Sequence, residues 1–439
     1  MHLWFAVTLL AAMIGAACAP AERGPGPGGI QASQAEGAAT GTKRVAVVVP
    51  NEPPVLYYPL APLSTRSGGG IFYNLLHPGV AVTDNEYALR PLLVEEVPSL
   101  TRGNWRVQTD GTMTTTWQLR QGALWHDGAP VTSADLAFTL AVVRDRELGA
   151  LRNKNYDLIA SVETPDSRTI TINWSRPYID ADRAFTYQGT IAFAVPMPKH
   201  LLESAYAGNR AGFLDLPYWS TEFIGFGPFK LDRWTQGSHI TLTAFDRYVL
   251  GRPKVQEIEA RFIPDQNTII SNVLAGSLDV FSGAAIGVDQ ALQLREQWKA
   301  GQVNIIPNNW AVVYPQHLNP QPAIVQNVEF RRALLHAIDR QAMADTLMYG
   351  LVPVTDSPLD PNSREYKATE ASLVRYPFDQ RRAVQLIEGL GFVRGGDGTF
   401  RDPAGQPLSV EIRGAATRDI HVKGLFPIVD NWQKVGLAA

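Results

Sequence analysis

Residues 119–138 read LRQGALWHDGAPVTSADLAF, and the order of residue types in this stretch sets the class of fold. It continues a run that alternates from residue 113. Met113, Thr115, Trp117 and Leu119 fall on one face and Thr114, Thr116 and Gln118 on the other, the period of a half-buried strand. Asp127-Gly128 supplies a turn. Thr132-Ser133-Ala134-Asp135 then has the spacing of a capping box, with Asp in place of Glu, and opens a helix carrying Leu136, Phe138, Leu140 and Val143. Strand, turn and capped helix in series predict an α/β layer.

Upstream, Val45-Ala46-Val47-Val48-Val49 followed by Pro50 predicts a strand covered on both faces, as in a parallel sheet. The turn-rich Glu52-Pro53-Pro54 comes next, and Ile71, Leu75 and Leu76 fit a short helix. Downstream, Thr169–Trp174 predicts another strand, with Ile170, Ile172 and Trp174 together. Gly225-Phe226-Gly227-Pro228-Phe229 breaks an apolar stretch, so the backbone there must bend or approach something closely. Ile240, Leu242 and Ala244 alternate, as do Ile258, Ala260 and Phe262. Asp265 caps a helix that Gly276 stops.

Leu278–Phe281 and Asn304–Pro307 predict further strands. A helix from Glu329 puts Phe330, Ala333, Leu334, Ala337 and Ile338 on one stripe. Asp339 caps a second helix ending at Gly350, and Asp379 opens a third that closes at Gly389 and Gly391. Leu425–Val435 reads as the last helix, with Gly436 as its stop. A strand should follow in an α/β sheet, and only Leu437-Ala438-Ala439 remain. An unpaired sheet edge and exposed apolar surface are therefore expected.

Composition narrows the function. The chain has 439 residues, 45% apolar and 18% charged, enough for two or three domains with a sizeable core. A net charge of −3 gives no electrostatic case for nucleic acid. Ten Trp and fourteen Tyr serve packing, or line a ligand cleft in part. The one cysteine, Cys18, permits no intramolecular disulfide and no cysteine-based zinc site. The eight histidines lack metal-binding spacing, so no metal site and no cofactor is expected. His126-Asp127 reads as a turn and Asp339-Arg340 as a helix boundary. No nucleophile elbow, metalloprotease motif or phosphate loop is present, which argues against an enzyme, with an exported hydrolase as the alternative class.

The first eighteen residues, MHLWFAVTLLAAMIGAAC, hold an apolar run from Leu3 to Ile14, the length of a signal-peptide core and too short to span a bilayer comfortably. Gly15-Ala16-Ala17-Cys18 resembles a lipoprotein lipobox, in which Cys18 becomes the lipidated first residue. It departs from that pattern in Gly15, where Leu is preferred, and in an n-region with only His2. The alternative is a plain secretory peptide. Residues 19–42, rich in Gly, Ala, Pro and Ser, read as a flexible tether. An exported protein, periplasmic or at the cell surface and lipid-anchored to the membrane, is expected.

Five segments in series carry a resemblance. They are residues 119–138, GFGPFKLDRWTQG (225–237), IPDQNTIISNVLAGSLDV (263–280), LNPQPAIVQNVEFRRALLHAIDRQAM (318–343) and YPFDQRRAVQLIEGLGF (376–392). Together they resemble the family 5 extracellular solute-binding proteins of peptide and nickel ABC importers. The resemblance implies a type II periplasmic-binding fold, two lobes on a hinge that close over solute. Lobe I with an inserted subdomain would span 43–264 and lobe II 265–439, with the C-terminal part of the second lobe missing.

The implied function is capture of peptides and their delivery to a membrane permease by a monomeric binding component. A ligand sensor, or a carrier of nickel complexes, haem or oligosaccharides, is the alternative. The resemblance puts at Asp419, in ATRDIHVKG, the carboxylate that pairs with a peptide ammonium; an ordinary helix N-cap is the competing role. Trp310, Tyr314 and Asn319, entering an Asn-containing strand, and Ser282 and Gly283, after a strand end, are the other candidate ligand contacts. Packing roles compete at each of them.

Overall fold

The Val run forms β1 (Arg44–Val49). α1 (Gly70–Leu76) and a short ladder of β2 (Ala81–Thr83) with β3 (Leu89–Pro91) follow. An antiparallel layer is built next from β4 (Trp105–Val107), β5 (Met113–Gln118), β6 (Ile159–Glu163) and β7 (Thr169–Trp174), in spatial order β4-β5-β7-β6. α2 (Ser133–Arg144) lies between β5 and β6 in the chain. After the pair β8 (Tyr187–Gln188) and β9 (Ile191–Ala192) come α3 (Lys199–Gly208) and the strands β10 (Phe229–Thr235), β11 (His239–Ala244) and β12 (Glu257–Phe262). α4 (Gln266–Leu274) leads to β13 (Val280–Phe281) and α5 (Val288–Gln297). The remainder is mainly helical: α6 (Val328–Ala337), α7 (Arg340–Leu347), α8 (Arg364–Thr369), α9 (Gln380–Gly389), the pair β14 (Val393–Arg394) and β15 (Phe400–Arg401), and α10 (Asp419–Lys434). This computed structural model describes residues 43–61, 70–84, 87–188, 191–192, 194–281, 285–306, 311–415 and 419–439. Cys18 and the tether lie outside them.

β1 sits inside a five-stranded sheet of order β10-β11-β12-β1-β13 and runs parallel to both neighbours. That position explains its composition. Val47 and Val49 enter a large core with Tyr57, Leu76 and Ile240, whereas Ala46 and Val48 face a second core with Ile269, Val273 and Leu294. A strand covered on both faces has no place for polar side chains. β5 has the alternation expected of it: Met113, Thr115 and Trp117 are buried while Thr114 and Thr116 are half-buried. Ile170, Ile172 and Trp174 of β7 meet them, and Trp174 Nε1 donates to Thr115 Oγ1 at 3.0 Å.

The capping box forms. The Thr132 N–H donates to the Asp135 carboxylate at 2.7 Å, and the other oxygen of that carboxylate accepts the Lys199 N–H at 2.8 Å. One buried side chain thus satisfies the amino ends of both α2 and α3. The close approach expected at the Gly225–Phe229 breaker is made by Gly225 and Gly227 to the end of α1. The Gly227 N–H donates to the Leu76 carbonyl at 2.8 Å, and a Cβ on either glycine would overlap backbone at the end of α1.

Several expectations need correction. The lobe boundary expected near residues 263–266 falls inside one layer, because β13 pairs with β1 and α4 packs Ile269, Ile270 and Val273 against Val48. That core continues to Val303, and the next one starts at Val325. The 278–281 strand is reduced to β13, and residues 304–306 are not a strand. The helix pair α6 and α7 is present, capped by Asn327 and Asp339. The Asn-containing strand before it is not: residues 311–322 are irregular, with Asn319 at φ 52°.

The last helix begins six residues earlier than expected and runs through Pro427, whose fixed φ suits a helix although it offers no N–H. The final residues pair with residues 408–410. The Val410 N–H donates to the Ala438 carbonyl at 2.9 Å and the Ala438 N–H to Leu408 at 3.0 Å, a parallel contact that buries Leu437.

Candidate functional site

In an open α/β sheet, ligands bind beyond the carboxyl ends of the parallel strands. Here those ends belong to β12, β1 and β13. Parallel pairing carries on to the rim, where the Ile263 N–H donates to the Val49 carbonyl at 3.1 Å. Three segments leave this rim: residues 50–56, 263–266 and, after β13, 285–287.

Each segment is anchored by a specific bond. Glu52 accepts Trp234 Nε1 at 2.7 Å and the Gly237 N–H at 3.0 Å, which ties the exit from β1 to the β10–β11 hairpin. The Leu56 N–H donates to the Trp219 carbonyl at 2.7 Å. Asp265 accepts both the N–H and the hydroxyl of Thr268 at 2.7 Å, bonds that hold its carboxyl below the usual range. Gln266 Oε1 accepts the Gly287 N–H at 3.1 Å and so links the last two segments. Glu52 and Asp265 are thus committed to hydrogen bonds within the protein, and Asn51 is exposed.

Of the residues expected to contact ligand, Ser282, Gly283 and Trp310 lie outside the described residues. In the chain Ser282 and Gly283 come directly after β13 (Val280–Phe281). Tyr314 is 75% exposed, and Asn319 is exposed in a bend. Asp419 is the first residue of α10, and its side chain lies outside the described part of the chain. A cavity of about 450 Å³, lined by Ala141, Arg144, Asp145, Arg146, Asp157 and Tyr206, contains none of the expected residues. Glu52 was missed. Its only sequence signal is position: it stands three residues after β1, the strand whose composition marks it as central.

His126, which looks catalytic beside Asp127, has a structural task. Its Nδ1 accepts the Gly225 N–H at 3.1 Å, so Nε2 carries the proton and donates to the Gly227 carbonyl at 3.1 Å. Burial lowers its pKa to about 4. His77 donates from Nε2 to the Pro196 carbonyl at 2.7 Å among Tyr57, Trp125, Phe223 and Phe226, and burial lowers its pKa to about 3. Among the described residues, no three His, Cys, Asp or Glu converge as metal ligands, and no helix is long and apolar enough to cross a membrane.

The chain resembles known proteins in sequence and in fold. An oligopeptide-binding protein, AppA of Bacillus subtilis, is 23% identical over 85% of this chain and 64% of its own length. A Brucella ovis protein named as an ABC transporter peptide-binding protein is 27% identical over 62% of this chain. The chain spans about half the length of that relative, 48%. Among solved structures, NikZ from Campylobacter jejuni in complex with Ni(L-His) superposes with a TM-score of 0.67 at 21% identity, covering 90% of this chain and 73% of that one. AppA in complex with a nonapeptide gives 0.65 at 20% identity, covering 90% and 73%. These likenesses establish the two-lobed type II periplasmic-binding fold. The family model for bacterial extracellular solute-binding proteins, family 5 (middle region), matches residues 95–439. A match that runs unbroken from the β4–β7 layer to the final residue makes this chain a member of the family 5 solute-binding proteins.

Proposed function

We propose that the chain is the solute-binding component of an ABC importer, capturing peptides between its lobes and handing them to a membrane permease. The observation that carries this reading is the family 5 match over residues 95–439, joined by similarity to proteins named as peptide-binding. The protein is exported, is held at the membrane by lipid on Cys18, works as a monomer and performs no catalysis. Solute lies beyond the carboxyl ends of β12, β1 and β13, with Ser282 and Gly283 on one wall and Trp310, Tyr314 and Asn319 on the segment that crosses to the second lobe.

Asp419 supplies the negative charge for the peptide ammonium. A carboxylate in a closing, partly dry cleft attracts a cation more strongly, because the local dielectric falls. A thermal-shift and calorimetric series with free and N-acetylated peptides tests the reading. Bound solute at a hundredfold excess over its dissociation constant stabilises by about 2.7 kcal/mol. Free peptides should shift the melting temperature, N-acetylation should weaken the shift, and Asp419→Ala should abolish the difference between the two. Response to nickel–histidine or oligosaccharide alone would discard peptide as the solute. Equal binding of free peptides by Asp419→Ala would remove Asp419 from the site.

A further inference from the structure

We propose that Asp289, Tyr349 and Lys423 form a latch between the lobes that favours lobe closure. Its consequence for solute affinity rests on the binding function above; the latch itself does not.

Asp289 lies in the first turn of α5, and Ala291 and Leu294 of that helix are buried against α4 and β1, so Asp289 moves with the first lobe. Lys423 is on α10, whose Ile428 and Trp432 are buried with Phe330 in the second core. Tyr349 follows α7, which packs Met343 on that same core. The two oxygens of the Asp289 carboxylate are shared between the two second-lobe elements. Tyr349 Oη donates to Oδ1 at 2.7 Å, and Lys423 Nζ lies 3.0 Å from Oδ2. These bonds hold the Asp289 carboxyl below its usual pKa, the Tyr349 hydroxyl contributing most. By contrast, Arg210–Asp145 at 2.8 Å and Arg340–Asp356 at 2.7 Å each join elements of one lobe.

The backbone gives a second, independent observation. Tyr349 has φ 55° and follows the helix C-cap Met348, the position where a left-handed residue is usually Gly. Gly350 comes one residue later, also left-handed at φ 66°. A tyrosine in that conformation is disfavoured, and what it gains is the hydroxyl contact across the lobes. Lys423 also stands one turn after Asp419 in α10, so the latch pulls on the helix that begins at the proposed ammonium site.

A protein that binds solute only when closed has an apparent affinity scaled by its closed fraction, so the latch tunes affinity from outside the cleft. Both charged groups are about half exposed, which keeps the effect modest.

The test needs no solute. A fluorescence donor and acceptor, one on each lobe of the full chain, report the inter-lobe distance in unliganded protein. Asp289→Ala should lower the closed population about two- to fivefold, the range of an exposed ion pair. Tyr349→Phe should lower it less, and raised salt should move the wild-type toward Asp289→Ala. The exchange Asp289→Lys with Lys423→Asp should recover part of the closed population, with far-UV dichroism unchanged throughout. An unaltered distance distribution in both Asp289→Ala and Tyr349→Phe would overturn the latch, whichever solute the protein binds.

Discussion

The two lobes reach stability by different routes. In the first, strands fix the register and large rings fill the space: Trp117, Trp125, Trp174 and Trp219 are all buried, on a framework of cross-strand pairs. In the second, α6, α9 and α10 gather around Phe330, Ile387 and Phe400, and the irregular segment 311–318 lies at the surface outside any described strand. Tyr314, Leu318, Val374 and Phe426 are exposed there. Side chains in the first lobe are held from several directions at once, whereas the second lobe depends on individual helix faces. Substitutions should therefore be felt very differently in the two lobes.

The largest contrast is expected at glycines. A Cβ at Gly227 would overlap carbonyl groups at the end of α1, and backbone cannot swing aside as a side-chain tip can. Gly227→Ala should cost about 3 kcal/mol or more in urea unfolding. Gly389, in the last turn of α9, has open space where a Cβ would stand and should respond in the opposite sense. Gly389→Ala should stabilise by about 0.4–1 kcal/mol through the unfolded chain. Equal responses at the two sites would erase the proposed difference in constraint.

Acid sharpens the same contrast. His126 is neutral when folded, with its pKa lowered from 6.5 to about 4, and the unfolded chain takes up its proton first as the pH falls. The stability this represents is complete above pH 6.5 and is lost as the pH drops toward 4, by roughly 3 kcal/mol. His77, lowered to about 3, adds to the loss in the same window. Both residues are in the first lobe. Tryptophan fluorescence should show the urea midpoint falling between pH 7 and pH 4, and His126→Gln, which can donate and accept in the same places, should flatten the slope. An identical slope in that variant would mean that other groups carry the acid response.

What could be read from the sequence divides along the same line. Local signals held wherever a side chain acts on its own neighbours: Asp135, Asp265, Asp339 and Asp379 each accept the backbone N–H they were expected to cap. The alternation of β5, β7 and β11 survived because each has one buried and one more open face. The lobe boundary failed because a helical crossover looks the same whether the next strand returns to the old sheet or starts a new one; only the β1–β13 pairing decides it. The Asn-containing strand, which the family resemblance implies, is absent among the described residues because residues 311–322 join no sheet ladder there. Glu52 and Asp289 carried no motif, because their partners lie 182 and 134 residues away in Trp234 and Lys423.

The smallest expected effect tests the surface segment directly. Leu318 is 82% exposed, and its N–H donates to Gln316 Oε1 at 2.8 Å, a bond that a substitution at position 318 keeps. A leucine that gains little burial on folding loses little when replaced, so Leu318→Ser should change unfolding free energy by less than about 0.5 kcal/mol. Its apolar side chain then bears on solubility rather than on the fold. A loss above about 1 kcal/mol would mean that residue 318 is packed in solution, and the second lobe would be as tightly determined as the first.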